Sequence, residues 1–158
     1  MRPAAPRWAL AWPAGLAVAG GLALAAPRCE LVLSDHRAGT ELARLPLDSA
    51  APQVRVAFVH SVLGTPVVDH YRFTPQARLV EERFEGEGYG LPHAAGPGQT
   101  LRRDGTGWVL QLDRAVDPLV VRALPAQRMR LLLDDGTELP LGTLGAASIR
   151  IDAKGCSA

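Results

Sequence analysis

Residues 53–84 read QVRVAFVHSVLGTPVVDHYRFTPQARLVEERF. In the first part Val54, Val56 and Phe58 alternate with Arg55, Ala57 and Val59, the two-residue period of a strand that buries one face. Two further short apolar runs follow, Val67 to Phe73 and Arg78 to Phe84. Outward from this stretch the pattern repeats: short apolar runs bounded by turn formers, and no window of eleven or more residues with a helical stripe. Strands are expected near Glu30 to Ser34, Glu41 to Leu45, Gln53 to Ser61, Val67 to Phe73, Arg78 to Phe84, Gly107 to Leu112, Leu119 to Arg122, Arg128 to Leu133, Thr137 to Leu141 and Ser148 to Asp152. Asp135-Gly136 reads as a type I′ hairpin turn, and Asp104-Gly105 is a weaker turn signal. About ten strands in so short a chain predict an all-β fold, an antiparallel sandwich or a partly closed barrel.

The chain has 158 residues with a formal net charge of +1, which fits one domain plus a targeting segment and excludes a multidomain enzyme. Sixteen of the seventeen basic residues are arginine. The balance of charge argues against an electrostatic nucleic-acid binder, and the 47% hydrophobic content argues against disorder. No charge falls between Arg7 and Arg28, where Trp8 to Pro27 is rich in Ala, Leu, Val and Gly. Arg2 and Arg7 followed by that run read as a signal peptide with a small-x-small cleavage site at Ala23-Leu24-Ala25, or as an uncleaved anchor in the inner membrane. Residues 1–28 are therefore assigned to targeting and residues 29–158 to a single exported, periplasm-facing domain. In an oxidising compartment Cys29 and Cys156, at the two ends of that domain, read as a disulfide; the alternative is two unpaired thiols.

The densest polar cluster runs His60-Ser61 … Thr65-Pro66, then Asp69-His70-Tyr71 and Glu81-Glu82-Arg83. Neighbours on a strand point to opposite faces, so His60 and Ser61 do not make a base and nucleophile, and Glu81 and Glu82 do not make an acid/base pair. His60, His70, Asp69 and Glu82 are metal-ligand types, but no His-x-x-x-His or Cys-x-x-Cys spacing accompanies them. His60 equally reads as a hydrogen-bonded histidine at a strand end, and Trp108 as a core aromatic. Arg72, Arg83 and Arg122 lie in strand runs, where an arginine pairs with a carboxylate, reaches solvent, or offers a fork to a substrate carboxylate. From Gly86 to Gly107 the sequence is crowded with Gly and Pro, the mark of a long functional or mobile loop. No catalytic residue, metal ligand or cofactor is assigned.

Several of these elements occur together in order: Val59-His60-Ser61-Val62, Thr65-Pro66-Val67, Asp69 before Tyr71, Glu82-Arg83-Phe84 and Gly88-Tyr89-Gly90-Leu91-Pro92. In them, with Cys29, Leu45-Pro46-Leu47 and Leu119 to Arg122, the chain resembles the small exported domain-of-unknown-function family eighteen-fifty. That family is often encoded beside permeases of TAXI-type TRAP transporters. Leu63-Gly64 stands where charged residues are expected, and Tyr89 replaces a smaller residue. The resemblance implies a non-catalytic extracytoplasmic accessory or binding module, with the TRAP membrane component as partner and a small organic anion as ligand. The residues expected to bind ligand or partner are His60, Ser61, Thr65, Glu82, Gly88, Gly90, Leu91 and Pro92, with the glycine loop closing over His60, Ser61 and Glu82. Glycine at 88 and 90 permits positive φ and a close approach of ligand or partner backbone. A cell-envelope interaction domain without a small ligand, or a metal-dependent enzyme, are the competing readings.

Overall fold

The computed structural model describes residues 28–156. The targeting segment assigned to residues 1–28 lies outside them except for Arg28. The described chain is all-β, with eleven strands and two short 3-10 turns. The strands are β1 (Glu30–Asp35), β2 (Glu41–Pro46), β3 (Gln53–Val59), β4 (Pro66–Phe73), β5 (Ala77–Phe84), β6 (Thr100–Asp104), β7 (Gly107–Ala115), β8 (Val120–Arg122), β9 (Arg130–Leu132), β10 (Glu138–Pro140) and β11 (Ser148–Lys154). They form two antiparallel sheets, one of order β2-β1-β11-β8 and one of order β10-β9-β3-β4-β5-β7-β6. The chain is therefore a two-sheet sandwich. Among the described residues no helix is long and apolar enough to cross a membrane.

The core forms where the alternating faces meet. Val54 and Val56 of β3, Tyr71 and Phe73 of β4, Leu79 of β5 and Leu110 of β7 share one hydrophobic cluster with Leu31 and Leu33 of β1 and Ile149 and Ile151 of β11. Removing such side chains from water supplies the main driving force for folding, about 25 cal/mol per Å² of apolar surface. Pairing of β1 with β11 brings the chain ends together, and Cys29 and Cys156 are bonded there.

Several sequence expectations change in detail. An eleventh strand, β6, lies inside the segment read as a continuous loop, so the Gly- and Pro-rich excursion ends at Gln99. The 133–137 hairpin is not type I′, because only Gly136 has positive φ. Leu133 and Gly136 close a turn by a 3.2 Å bond, and Leu133 and Thr137 bond across it at 2.9 Å. This is the three-residue loop with glycine in its left-handed position. Gly105, at φ +59, is the first central residue of the two-residue loop joining β6 to β7, as in a type II′ turn. The strand expected from Arg128 begins at Arg130, since Arg128 has φ +46.

Register places the inward carboxylates. On β4, Val67, Asp69, Tyr71 and Phe73 occupy one face, and Val67, Tyr71 and Phe73 are buried. Asp69 is thus a carboxylate in an inward, otherwise apolar row. Its partner on β5 is Glu82, and on β3 it is Val56. Strict alternation would put Leu79 and Glu82 on opposite faces. The register shift between Leu79 and Glu81, with Val80 as the extra residue, turns both inward.

Candidate functional site

Strand β3 ends at Val59, two residues earlier than the sequence pattern suggests, so His60 and Ser61 belong to the turn and not to the ladder. The opposite-faces argument therefore does not apply to them, and both border the same cavity. The turn is closed by His60 N–H donating to the Thr65 carbonyl at 2.8 Å and Gly64 N–H donating to the His60 carbonyl at 2.9 Å. The His60 ring takes part: Nδ1 accepts from the backbone N–H groups of Val62 and Leu63 at 3.3 and 3.2 Å. With Nδ1 occupied as an acceptor, the ring proton sits on Nε2. Thr65 Oγ1 donates to the Glu85 carbonyl at 2.8 Å and so ties this turn to the end of β5.

The cavity has a volume of about 280 Å³. Its floor is the inward face of the large sheet, with Phe58, Val67, Asp69, Glu82 and Phe84. His60 and Ser61 border one side, and Gln127, from the turn after β8, also lines it. The segment Tyr89-Gly90-Leu91-Pro92 completes the wall. Gly88, Tyr89 and Gly90 have φ of +81°, +52° and +91°. A Cβ at Gly88 or Gly90 would meet nothing within 4 Å, so these glycines are needed for backbone conformation and not for close approach within the chain. Tyr89, a residue 71% exposed, adopts a left-handed conformation that costs a non-glycine residue about 1 kcal/mol.

Asp69 and Glu82 set the electrostatics. Tyr71 Oη donates to Asp69 Oδ2 at 3.1 Å, while Asp69 Oδ1 is buried without a hydrogen-bond partner. Burial, reinforced by the charge of Glu82, pushes the Asp69 carboxyl up to about 6, against the opposing Tyr71 bond and the charge of Arg114. Burial also raises Glu82, with Arg114 opposing. Burial, followed by the neighbouring Asp69, raises the Tyr71 phenol. Glu82 has no hydrogen bond or ion pair among the described residues.

Of the residues singled out from sequence, His60, Ser61, Glu82, Gly90, Leu91 and Pro92 meet at this one cavity. Thr65 and Gly88 do not line it. Thr65 fastens the turn, and the Gly88 carbonyl accepts from Leu91 N–H at 3.1 Å to shape the glycine loop. Cys29 and Cys156 lie at the other end of the sandwich. Leu47 N–H donates to the Cys29 carbonyl, and Leu47 shares a surface hollow with Gln53 at the start of β3. From Gln53 to Val59, β3 then runs about 20 Å to the cavity.

Sequence reasoning left Asp69 out of the site, though its break in the row Val67, Tyr71, Phe73 was a readable signal. It also left out Phe58, Val67, Phe84 and Tyr89 as walls, and nothing in the sequence marks Gln127. The true carboxylate pair is Asp69 with Glu82 across two strands. Glu81 faces the outer side, where it bonds Arg83 at 2.6 Å and Gln111 at 2.7 Å. Arg83 also bonds Asp104, and His70 bonds Gln53, so neither turns to the cavity. Among the described residues no three of His, Cys, Asp or Glu converge to hold a metal ion. Trp108 packs against the core, with Arg103 over its ring at 4.7 Å.

The family model described as Domain of unknown function (DUF1850) matches residues 54–141, more than half of the chain, and every residue bordering the cavity lies in that span. The chain belongs to this family. No curated protein and no solved structure matches it. In this DUF1850 chain the matched span holds the large sheet and the cavity, whereas β1, β2 and β11, three of the four strands of the small sheet, fall outside it.

Proposed function

We propose that this chain is a non-catalytic extracytoplasmic binding module serving a TAXI-type TRAP transport system, and that the cavity beneath the glycine loop is its ligand site. The observation that carries the reading is the cavity itself. It joins His60-Ser61 to Gly90-Leu91-Pro92, some thirty residues away, over two inward carboxylates. A concave site that sets convergent polar groups, one of them a carboxyl of displaced pKa, against apolar side chains suits a small molecule. Binding is favoured over acyl transfer because Nδ1 of His60 is engaged by the backbone and the remaining ring nitrogen carries a proton, which leaves Ser61 without a base there. The disulfide fits an exported, periplasmic setting. If residues 1–28 hold the chain at the inner membrane, the cavity opens at the end of the sandwich away from that attachment, toward soluble partners and solutes.

The test is native mass spectrometry of the full chain, expressed for export and purified under oxidising conditions. The expected result is a mass excess that vanishes on denaturation. Tyr89→Gly should abolish or weaken that retention while changing stability by less than about 1 kcal/mol, because relief of the left-handed strain offsets the glycine entropy. A bare mass under all native conditions overturns the ligand site and favours an envelope-interaction domain. Transport is tested separately by affinity purification of the TRAP membrane component with the tagged chain; failure to recover it contradicts that partner.

A further inference from the structure

The lining of the cavity also speaks to the charge of what it holds, on the reading that it is a ligand site. Among the described residues Asp69 and Glu82 are the charged side chains that border it, and no Arg or Lys does. This is notable in a chain with sixteen arginines. The arginines of the large sheet that form ion pairs, such as Arg55, Arg78, Arg83 and Arg130, are matched with carboxylates elsewhere on that sheet. An anion entering the cavity would meet like charge, and the one arginine whose charge reaches the pair, Arg114 on β7, does not border the cavity. A cation would meet unused acceptors: Glu82 makes no bond among the described residues, and Oδ1 of Asp69 is buried without a donor. Phe58, Phe84 and Leu91 offer apolar surface beside the pair, and Tyr89 places an aromatic ring at the wall.

We propose that the cavity binds a small primary alkylammonium, with its N–H groups directed to Asp69 and Glu82 and its alkyl chain against Phe58, Phe84 and Leu91. An ammonium group brings three donors and no acceptor, which suits the Glu82 carboxylate and the unpartnered Oδ1 of Asp69, whose Oδ2 is already taken by Tyr71. Charge-assisted bonds of this kind are the strong ones, more so in a partly water-excluded site. The small-organic-anion expectation that came with the family resemblance fits this lining less well than a cation.

The experiment uses the full chain with labelled methyl groups, titrated at pH 7 with three probes of equal chain length: butylammonium chloride, sodium butyrate and butanol. Butylammonium should give saturable shifts at Val67 and Leu91, and the other two should not. Glu82→Gln should weaken butylammonium at least tenfold while the methyl signals of Leu31 and Ile149 stay in place, which shows an intact core. Affinity should fall about tenfold between pH 7 and pH 5, since Asp69 takes up its proton near 6. The groups that bear on Asp69 are Glu82 on β5, Tyr71 on its own strand and Arg114 on β7, and His60 at the end of β3 lines the same cavity. Asp69→Asn should shrink this pH dependence to the smaller part that Glu82 contributes. Shifts caused by butyrate or butanol but not by butylammonium overturn the cation assignment and leave the ligand site standing. Shifts with none of the three overturn the site as well.

Discussion

Reduction of the Cys29–Cys156 bridge, or its removal by Cys29→Ser with Cys156→Ser, is expected to destabilise the domain by about 4 to 5 kcal/mol in the chain-entropy account. The two cysteines are 127 residues apart in sequence, so the bridge closes nearly the whole described chain into one loop. Such a constraint acts mainly on the unfolded state, whose freedom it restricts. The folded state keeps another tie between its ends, because β1 pairs with β11 along six residues of ladder. The reduced protein should therefore still fold, with Tm lower by roughly 15 °C or more, given a few degrees per kcal/mol for a domain of this size. Thermal unfolding with and without reductant measures it. A shift of only a degree or two would mean that the bridge restricts the unfolded chain little and would contradict the chain-entropy account.

Asp69→Asn is expected to stabilise the fold at neutral pH, by about 2 to 3 kcal/mol. The folded-state value near 6 lies above the 3.8 of a free aspartate, so the folded chain holds this proton in a range where the unfolded chain has released it. Stability is therefore lost as pH rises. The penalty is absent below about pH 3.8, grows through the window from 3.8 to 6, and is complete above it, where two pKa units correspond to about 3 kcal/mol. Asparagine keeps an acceptor for the Tyr71 hydroxyl and carries no charge to bury. Denaturant melts of both proteins at pH 7.5 and pH 4 check the claim. The variant should be more stable at the higher pH, and the two should converge at the lower. Equal stability at both would show that Asp69 is not held in a costly environment. An inward charge kept at such a cost is what a functional site demands and what packing alone does not.

Much of the sandwich was legible because its strands keep a two-residue period between turn formers. Gln53 to Val59 shows it most clearly, and the carboxyl-terminal hairpin is marked by Asp135-Gly136. Strand β6 was hidden because Thr100-Leu101-Arg102-Arg103-Asp104 has one apolar side chain, Leu101, and an edge strand needs little more. The site was legible in part. The His-Ser and Gly-x-Gly-Leu-Pro elements stand out as polar turn and glycine loop, and they do meet. What brings them over Asp69 and Glu82 is register. The extra residue Val80 decides which way Glu82 points, and nothing in Leu79-Val80-Glu81-Glu82 announces a bulge. For the same reason Glu81-Glu82 drew attention as a pair, when the partner of Glu82 lies thirteen residues earlier across the sheet.

The most direct measurement of the central claim, a cation site built on that cross-strand pair, is a site-resolved carbon NMR titration of the Asp69 and Glu82 carboxyls in the full chain, alone and with saturating butylammonium. Alone, Asp69 should titrate near pH 6 and Glu82 above the ordinary glutamate value. With butylammonium both midpoints should fall, that of Asp69 by a full pH unit or more, because a bound cation favours the ionised form. Midpoints that stay in place when the amine is added would contradict the account.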